Sequence, residues 1–149
     1  ETREAVSKQT YGDQIYTLRG SYVRALKSAD VATATLFGSQ FLSSYDGQSS
    51  VTFGGDFSYD IARDFGPVNL SLAAGAYVSQ FDGYTLATIE VPGGRQDRTG
   101  YLQVQALFPN VEYSGFAPVL TLQRKVTSSN VSRFDSTETS ISLGIQSTF

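Results

Sequence analysis

The sequence contains no cysteine, histidine, methionine or tryptophan. Without cysteine there is no disulfide, no thiolate metal ligand and no cysteine nucleophile. Without histidine there is no Ser–His–Asp triad, no H-E-x-x-H zinc site and no imidazole general base. The chain is therefore read as a non-enzyme with no cofactor. Charge is scarce as well, with 11 basic against 14 acidic residues and a formal net charge of −3. No basic block or stripe offers a nucleic-acid footprint. No apolar run reaches the roughly 18 residues that a transmembrane helix needs. The missing initiator methionine implies a processed product or a fragment beginning at Glu1.

What remains is rich in aromatics and glycine: 10 Phe, 9 Tyr and 14 Gly in 149 residues, with abundant Ser and Thr. That balance favours strands over helices. The length suits one domain, or one piece of a larger one.

Side chains alternate with period 2 along most of the chain, the signature of strands with unlike faces. Val51, Phe53, Gly55, Phe57, Tyr59 and Ile61 share one face, opposite Thr52, Gly54, Asp56, Ser58 and Asp60. After a turn at Asp64–Pro67, Val68, Leu70, Leu72, Ala74, Ala76 and Val78 repeat the pattern. Residues 14–26, 100–108, 116–126 and 139–149 alternate similarly. Residues 31–45 read as a strand of undecided facing, because Phe37 and Phe41 share one side and Leu36 and Leu42 the other. The Ala-rich stretch from Tyr22 to Ala34 also admits a short helix. Seven strands result, and residues 1–5 suit the cut end of an eighth. Short connections at Lys27–Asp30, Asp64–Pro67 and Asn110–Gly115 alternate with longer polar ones at Ala5–Asp13, Phe81–Thr99 and Val126–Ser136. Asp46–Ser50 is a short exception on the long-loop side.

The polar faces carry Ser, Thr, Asn, Gln and Gly rather than the Lys and Glu of a solvated outer surface. Strands of about ten residues joined by tight turns match a tilted membrane crossing. The expected fold is an all-β, antiparallel, up-and-down transmembrane β-barrel, with its apolar side in lipid and its polar side toward a lumen. A soluble barrel or sandwich remains the alternative. Arg19, Asp56, Asp60 and Lys125 are the candidate lumen-facing charges. Tyr16, Tyr45, Tyr59 and Phe65 lie near strand ends, where an interfacial girdle would sit. The closing strand sets Ile141, Leu143 and Ile145 on alternate positions before a terminal Phe149. This resembles the insertion signal of outer-membrane barrels, read by the barrel assembly machinery. A periplasmic C-terminus then puts the short turns on the periplasmic side and the long loops outside.

The last third resembles the C-terminal barrel of the surface lipoprotein assembly modifier family. The residues that carry this are Gly115-Phe116-Ala117-Pro118, Leu120-Thr121-Leu122-Gln123-Arg124, Ser129-Asn130-Val131, Phe134-Asp135, Thr139 through Leu143-Gly144, and Phe149. Tyr11 to Leu26 also resembles a strand of that family. The resemblance implies a bacterial outer-membrane location and a barrel of about fourteen strands. Residues 1–149 would be its C-terminal portion, without the upstream strands and periplasmic helical repeats. The implied function is to help translocate or display lipoproteins, or related secreted haem-binding proteins, at the cell surface. The implied partners are outer-membrane lipid, the assembly machinery and a client surface lipoprotein or secreted protein. Two alternatives stand beside it: a small independent barrel with a structural or adhesive role, and a soluble β-barrel holding an apolar ligand.

Other motifs read blandly. Asp56 and Asp60 share a strand face, as solvated or salt-bridged acids. The Gly-rich Val91–Arg98 lacks the Gly-Lys-Ser/Thr ending of a phosphate loop and is expected to be a mobile external loop. Asn69-Leu70-Ser71 and Asn130-Val131-Ser132 match a glycosylation sequon incidentally. If Leu72 faces lipid near the midplane, Leu72→Arg should lower barrel stability by about 2–4 kcal/mol, and lumen-facing Ser71→Arg by much less. Equal losses in urea titrations of the two variants in detergent would remove the membrane assignment.

Overall fold

The computed structural model describes residues 12–27, 29–44, 48–62, 66–86 and 88–147. Among these, seven long strands form one antiparallel sheet: β1 (Gln14–Ala25), β2 (Val31–Leu42), β3 (Ser50–Asp60), β4 (Asn69–Phe81), β7 (Arg95–Leu107), β8 (Phe116–Ser129) and β9 (Ser136–Ser147). Two short strands, β5 (Thr85–Leu86) and β6 (Ile89–Glu90), pair as a small separate hairpin within the β4–β7 connection. The sheet order is β1-β2-β3-β4-β7-β8-β9, so each long strand pairs with its neighbours in sequence. This is the up-and-down meander that the alternation implies. The sheet is open: β1 and β9 are its edges and do not pair with each other. Single 3₁₀ turns at Pro109–Val111 and Ser132–Phe134 complete the described structure. The helix considered for Tyr22–Ala34 does not form, because strand pairing claims both ends of that stretch.

The connections correct the expected contrast of lengths. One end of the sheet, here the turn end, carries residues 26–30, 61–68 and 108–115; the loop end carries 43–49, 82–94 and 130–135. Strands run further into the polar segments than their composition implies, so the long connections expected at Phe81–Thr99 and Val126–Ser136 shrink. Only 82–94 is distinctly long. Residues 1–11 and Phe149, and with them the proposed eighth strand and the terminal aromatic, lie outside the described residues.

The turn end is built from specific backbone chemistry. At Tyr113–Phe116 the two flanking residues exchange backbone hydrogen bonds of 2.9 and 3.1 Å around Ser114 (φ 51°) and Gly115 (φ 80°). Two successive left-handed residues make the tight hairpin whose twist suits flanking strands. Between β1 and β2, the Leu26 N–H donates to the Asp30 carbonyl at 2.8 Å, which forces Ala29 to φ 68°. Asp30 is buried, with its carboxylate accepting from the Tyr59 hydroxyl and from the Ala62 N–H at 2.8 Å. One side chain thus fastens the first turn to the third strand.

A left-handed backbone costs an L-residue about 1–2 kcal/mol. Ala29→Gly relieves this at a site facing no requirement for the methyl group, and should raise stability by about 1 kcal/mol in urea titrations. An unchanged or lower midpoint would mean that Ala29 is not strained.

Candidate functional site: an inclined apolar belt and a polar face

Residues paired across an antiparallel sheet share a face, so the register assigns every side chain. One face carries Leu18 and Tyr22 on β1, Leu36 on β2, Phe53 and Phe57 on β3, Leu72 and Val78 on β4, Leu102 and Val104 on β7, and Leu120 and Leu122 on β8. Ile141, Leu143 and Ile145 complete it on β9. Many of these project freely: Leu18 is 81% exposed, Leu102 66% and Leu143 77%. The other face is dominated by Ser, Thr, Gln and Gly. The undecided strand is settled here: in β2, Leu36 and Leu42 join the apolar face, and Phe37 and Phe41 the polar one.

Across β3, β4, β7 and β8 the polar face is the more shielded of the two. Thr99 is 5% exposed and Thr35 7%, although no second layer covers them. A single sheet shields one face only by curling toward it, so the polar side is the inside of the curl. Side chains there reach across it: Gln105 Nε2 donates to Gln146 Oε1 at 3.4 Å over the intervening β8.

The apolar belt does not follow the rows of paired residues. The row through the belt centre on β1 runs Gly20, Leu36, Gly55, Ala76, Gly100, Val126, Thr137. On β9, however, the belt is centred on Leu143, six residues beyond Thr137. Six residues of drift is about 20 Å along a strand, and six strand spacings are about 29 Å, which inclines the belt about 35° to the pairing direction. The residues on its loop-end margin drift likewise: Gln40, Gln80, Arg98, Arg124 and Thr139 all sit on the apolar face. On β4 the belt extends from Leu70 to Val78, about 26 Å along the strand and about 22 Å along an axis tilted by that angle.

The four lumen candidates fall together on the polar face. Arg19 lies in a row with Phe37, Gly54, Tyr77 and Thr99, and its guanidinium is 5.9 Å from the Phe37 ring centroid. Asp56 and Lys125 share the next row: Ser21, Thr35, Asp56, Gly75, Tyr101, Lys125, Glu138. Lys125 Nζ is 3.4 Å from Glu138 Oε2, a partner the sequence reading did not select. Asp60 lies toward the turn end, lining a hollow of about 320 Å³ with Ser58, Asn69, Ser71, Gln103 and Gln146. Among the described residues neither Asp56 nor Asp60 is ion-paired to a basic side chain. Tyr16 and Tyr59 occupy opposite ends of the apolar face, and Tyr45 and Phe65 lie outside the described residues.

Hydroxyl pairs stitch the polar face across strands: Thr17 with Ser39 at 3.0 Å, Ser21 with Thr35 at 3.1 Å, Thr52 with Ser79 at 2.8 Å, and Thr99 with Thr127 at 3.0 Å. A tyrosine ring fills the space above one glycine. A Cβ on Gly75 would stand 2.5 Å from Tyr101 Cε1 and 2.8 Å from its hydroxyl, so the ring lies over the bare backbone of its cross-strand partner. Such aromatic cover over glycine pins register in a curved sheet. Gly54 is crowded differently: a Cβ there would collide with Tyr77 Cβ and stand 2.6 Å from the Ala76 carbonyl, so it is the neighbouring strand's main chain that comes close. The described residues contain no group of three or more acidic side chains fit to hold a metal. No described helix is long and apolar enough to cross a membrane, which has no bearing on strands.

No family model, curated protein or solved structure matches this chain.

Gly75→Ala should destabilise the sheet by about 1–3 kcal/mol, because the methyl group displaces the Tyr101 ring. Adding Tyr101→Ala removes the clash, so the two changes should depart from additivity by about 1 kcal/mol. A double-mutant cycle by urea unfolding checks this, and strict additivity would show that the ring and glycine are independent.

Proposed function

We propose that this chain is a membrane-embedded arc of an outer-membrane β-barrel, with its convex apolar face in lipid and its polar face lining a lumen. The inclined belt carries the reading. Strands of membrane barrels tilt about 35–45° from the barrel axis, so a flat slab of lipid must cross them obliquely. A belt that serves packing against a second sheet has no reason to drift by that angle. The uncharged-polar character of the inner face supports the same reading.

Strand direction refines it. The seven long strands alternate, so the two edges, β1 and β9, run the same way. They cannot pair antiparallel with each other, and antiparallel closure takes an odd number of further strands. An eight-stranded structural or adhesive barrel is the smallest such solution, and the larger barrel of the lipoprotein-assembly resemblance is another. That resemblance extends the proposal to helping translocate or display lipoproteins, or related secreted haem-binding proteins, at the bacterial surface. Outer-membrane lipid, the barrel assembly machinery and the client would be the partners. It rests on the Gly115–Pro118 and Ser129–Val131 motifs. The reading as a soluble barrel around an apolar ligand needs the apolar face inside the curl, and the burial asymmetry weighs against it.

The absence of cysteine makes the test direct, since any introduced thiol is the sole labelling site. Spin labels at Leu102→Cys and Gln103→Cys, adjacent on β7, should report opposite environments in lipid vesicles. The first should relax with lipid-soluble oxygen and the second with a water-soluble nickel complex. Both labels reporting water would return the chain to the soluble class.

A further inference from the structure

The loop end of the polar face holds a cluster outside the belt and outside the lumen charges. Arg95 opens β7 on the polar face, paired with Phe81 at the end of β4. Its guanidinium carbon lies 3.7 Å from the Phe81 ring centroid and 3.9 Å from that of Phe134, in the β8–β9 connection. Tyr84, from the β4–β7 connection, stands 5.2 Å away and meets Phe134 edge-on at 5.6 Å. Arg95 Nε is 3.2 Å from Asp97 Oδ2, with the Arg95 side chain only 13% exposed. Neither Arg95 Nε nor Asp97 Oδ1 makes an aligned hydrogen bond. The guanidinium is therefore held mainly by the two rings nearest it and by the charge of Asp97. A desolvated cation over aromatic rings is held more strongly than one at an exposed site.

The geometry has a direction. Tyr84 and Phe134 belong to connections, yet both touch a side chain on the polar face, so both connections lean inward over that face. A second tie supports them. Asn130 donates from Nδ2 to the Gly94 carbonyl at 2.9 Å and accepts the Gln96 N–H at 2.8 Å. Gly94 itself packs so closely on the Phe81 carbonyl that no side chain fits there. The expectation of a mobile external loop across Val91–Arg98 is thereby corrected. Residues 95–98 are strand, and Gly94 is locked beneath it.

We propose that Arg95 is a latch. It fastens the β4–β7 connection to the β8–β9 connection and so holds a strap over the loop end of the polar face. The latch needs no membrane, and it stands or falls apart from the barrel reading; within that reading, the strap narrows the loop-side mouth of the lumen. The shape of the cation matters, because a flat guanidinium can rest against two rings at once, which the compact ammonium of lysine cannot imitate.

Hydrogen exchange on the whole chain in detergent tests this through the Val91 and Gly94 amides, which bond to the Tyr84 and Val91 carbonyls at 2.9 and 2.8 Å. Arg95→Ala should speed exchange at these amides at least tenfold while β3 amides are unchanged. Arg95→Lys, which keeps the charge facing Asp97, should behave as Arg95→Ala does. Phe134→Leu, which keeps apolar bulk but removes one stacking face, should also speed them. Unchanged exchange in Arg95→Ala would show that the Asn130 bonds suffice, and full protection in Arg95→Lys that charge alone holds the strap. Either result overturns the latch, as would equal acceleration in β3.

Discussion

A single sheet can shield only one of its faces by curling, and everything else in this molecule depends on which face that is. Here the shielded side carries hydroxyls, amides and most of the paired charges. Most of the large aliphatic groups, with Phe53 and Phe57, are left on the outside, without a second layer of protein to meet them. Apolar area of this extent is stabilising only when removed from water. The fold therefore places its demand for burial on the surroundings of the sheet rather than on its interior.

The inner face meets the opposite requirement. Its polar groups cannot all be left to water once they crowd together, and the hydroxyl pairs between neighbouring strands answer this locally. Each pair satisfies two groups without needing a charge. The Tyr101 ring that lies over Gly75 adds apolar contact in the same plane without enlarging the strands' spacing. The result is an interior surface that is polar and tightly registered, with its charges spaced out along it rather than gathered into a reactive centre.

Much of this was legible in the sequence, and the exceptions have physical reasons. Period-2 alternation is a one-dimensional signal, so the strands, their number and the faces of β3, β4, β7, β8 and β9 could be read. In β2 the signal cancelled, because Phe37 and Phe41 both lie on the inner face, Phe37 beside Arg19 and Tyr77, while Leu36 faces outward. Strand ends were underestimated wherever the chain leaves the apolar belt. Beyond it both faces are polar, and Arg95-Gln96-Asp97-Arg98 then has the composition of a loop. The belt's inclination was invisible for a different reason: it exists only once the register between strands is known. Glu138 was passed over because its partner, Lys125, lies on another strand. The Arg95 cluster draws on three separate segments, and only the polar composition of those segments was visible beforehand.

The meander has a kinetic consequence. Every pairing in the long sheet joins strands adjacent in the chain, apart from the small hairpin inserted between β4 and β7. The entropy of closing each connection grows only slowly with its length, so no step must wait for the distant ends of the polypeptide to find each other. The Ser114–Gly115 turn tightens one of these closures and helps bring β7 and β8 together. From such a seed the sheet can lengthen one strand at a time in either direction. An advancing edge is always a complete template for the next strand, so each addition meets its full set of backbone partners at once.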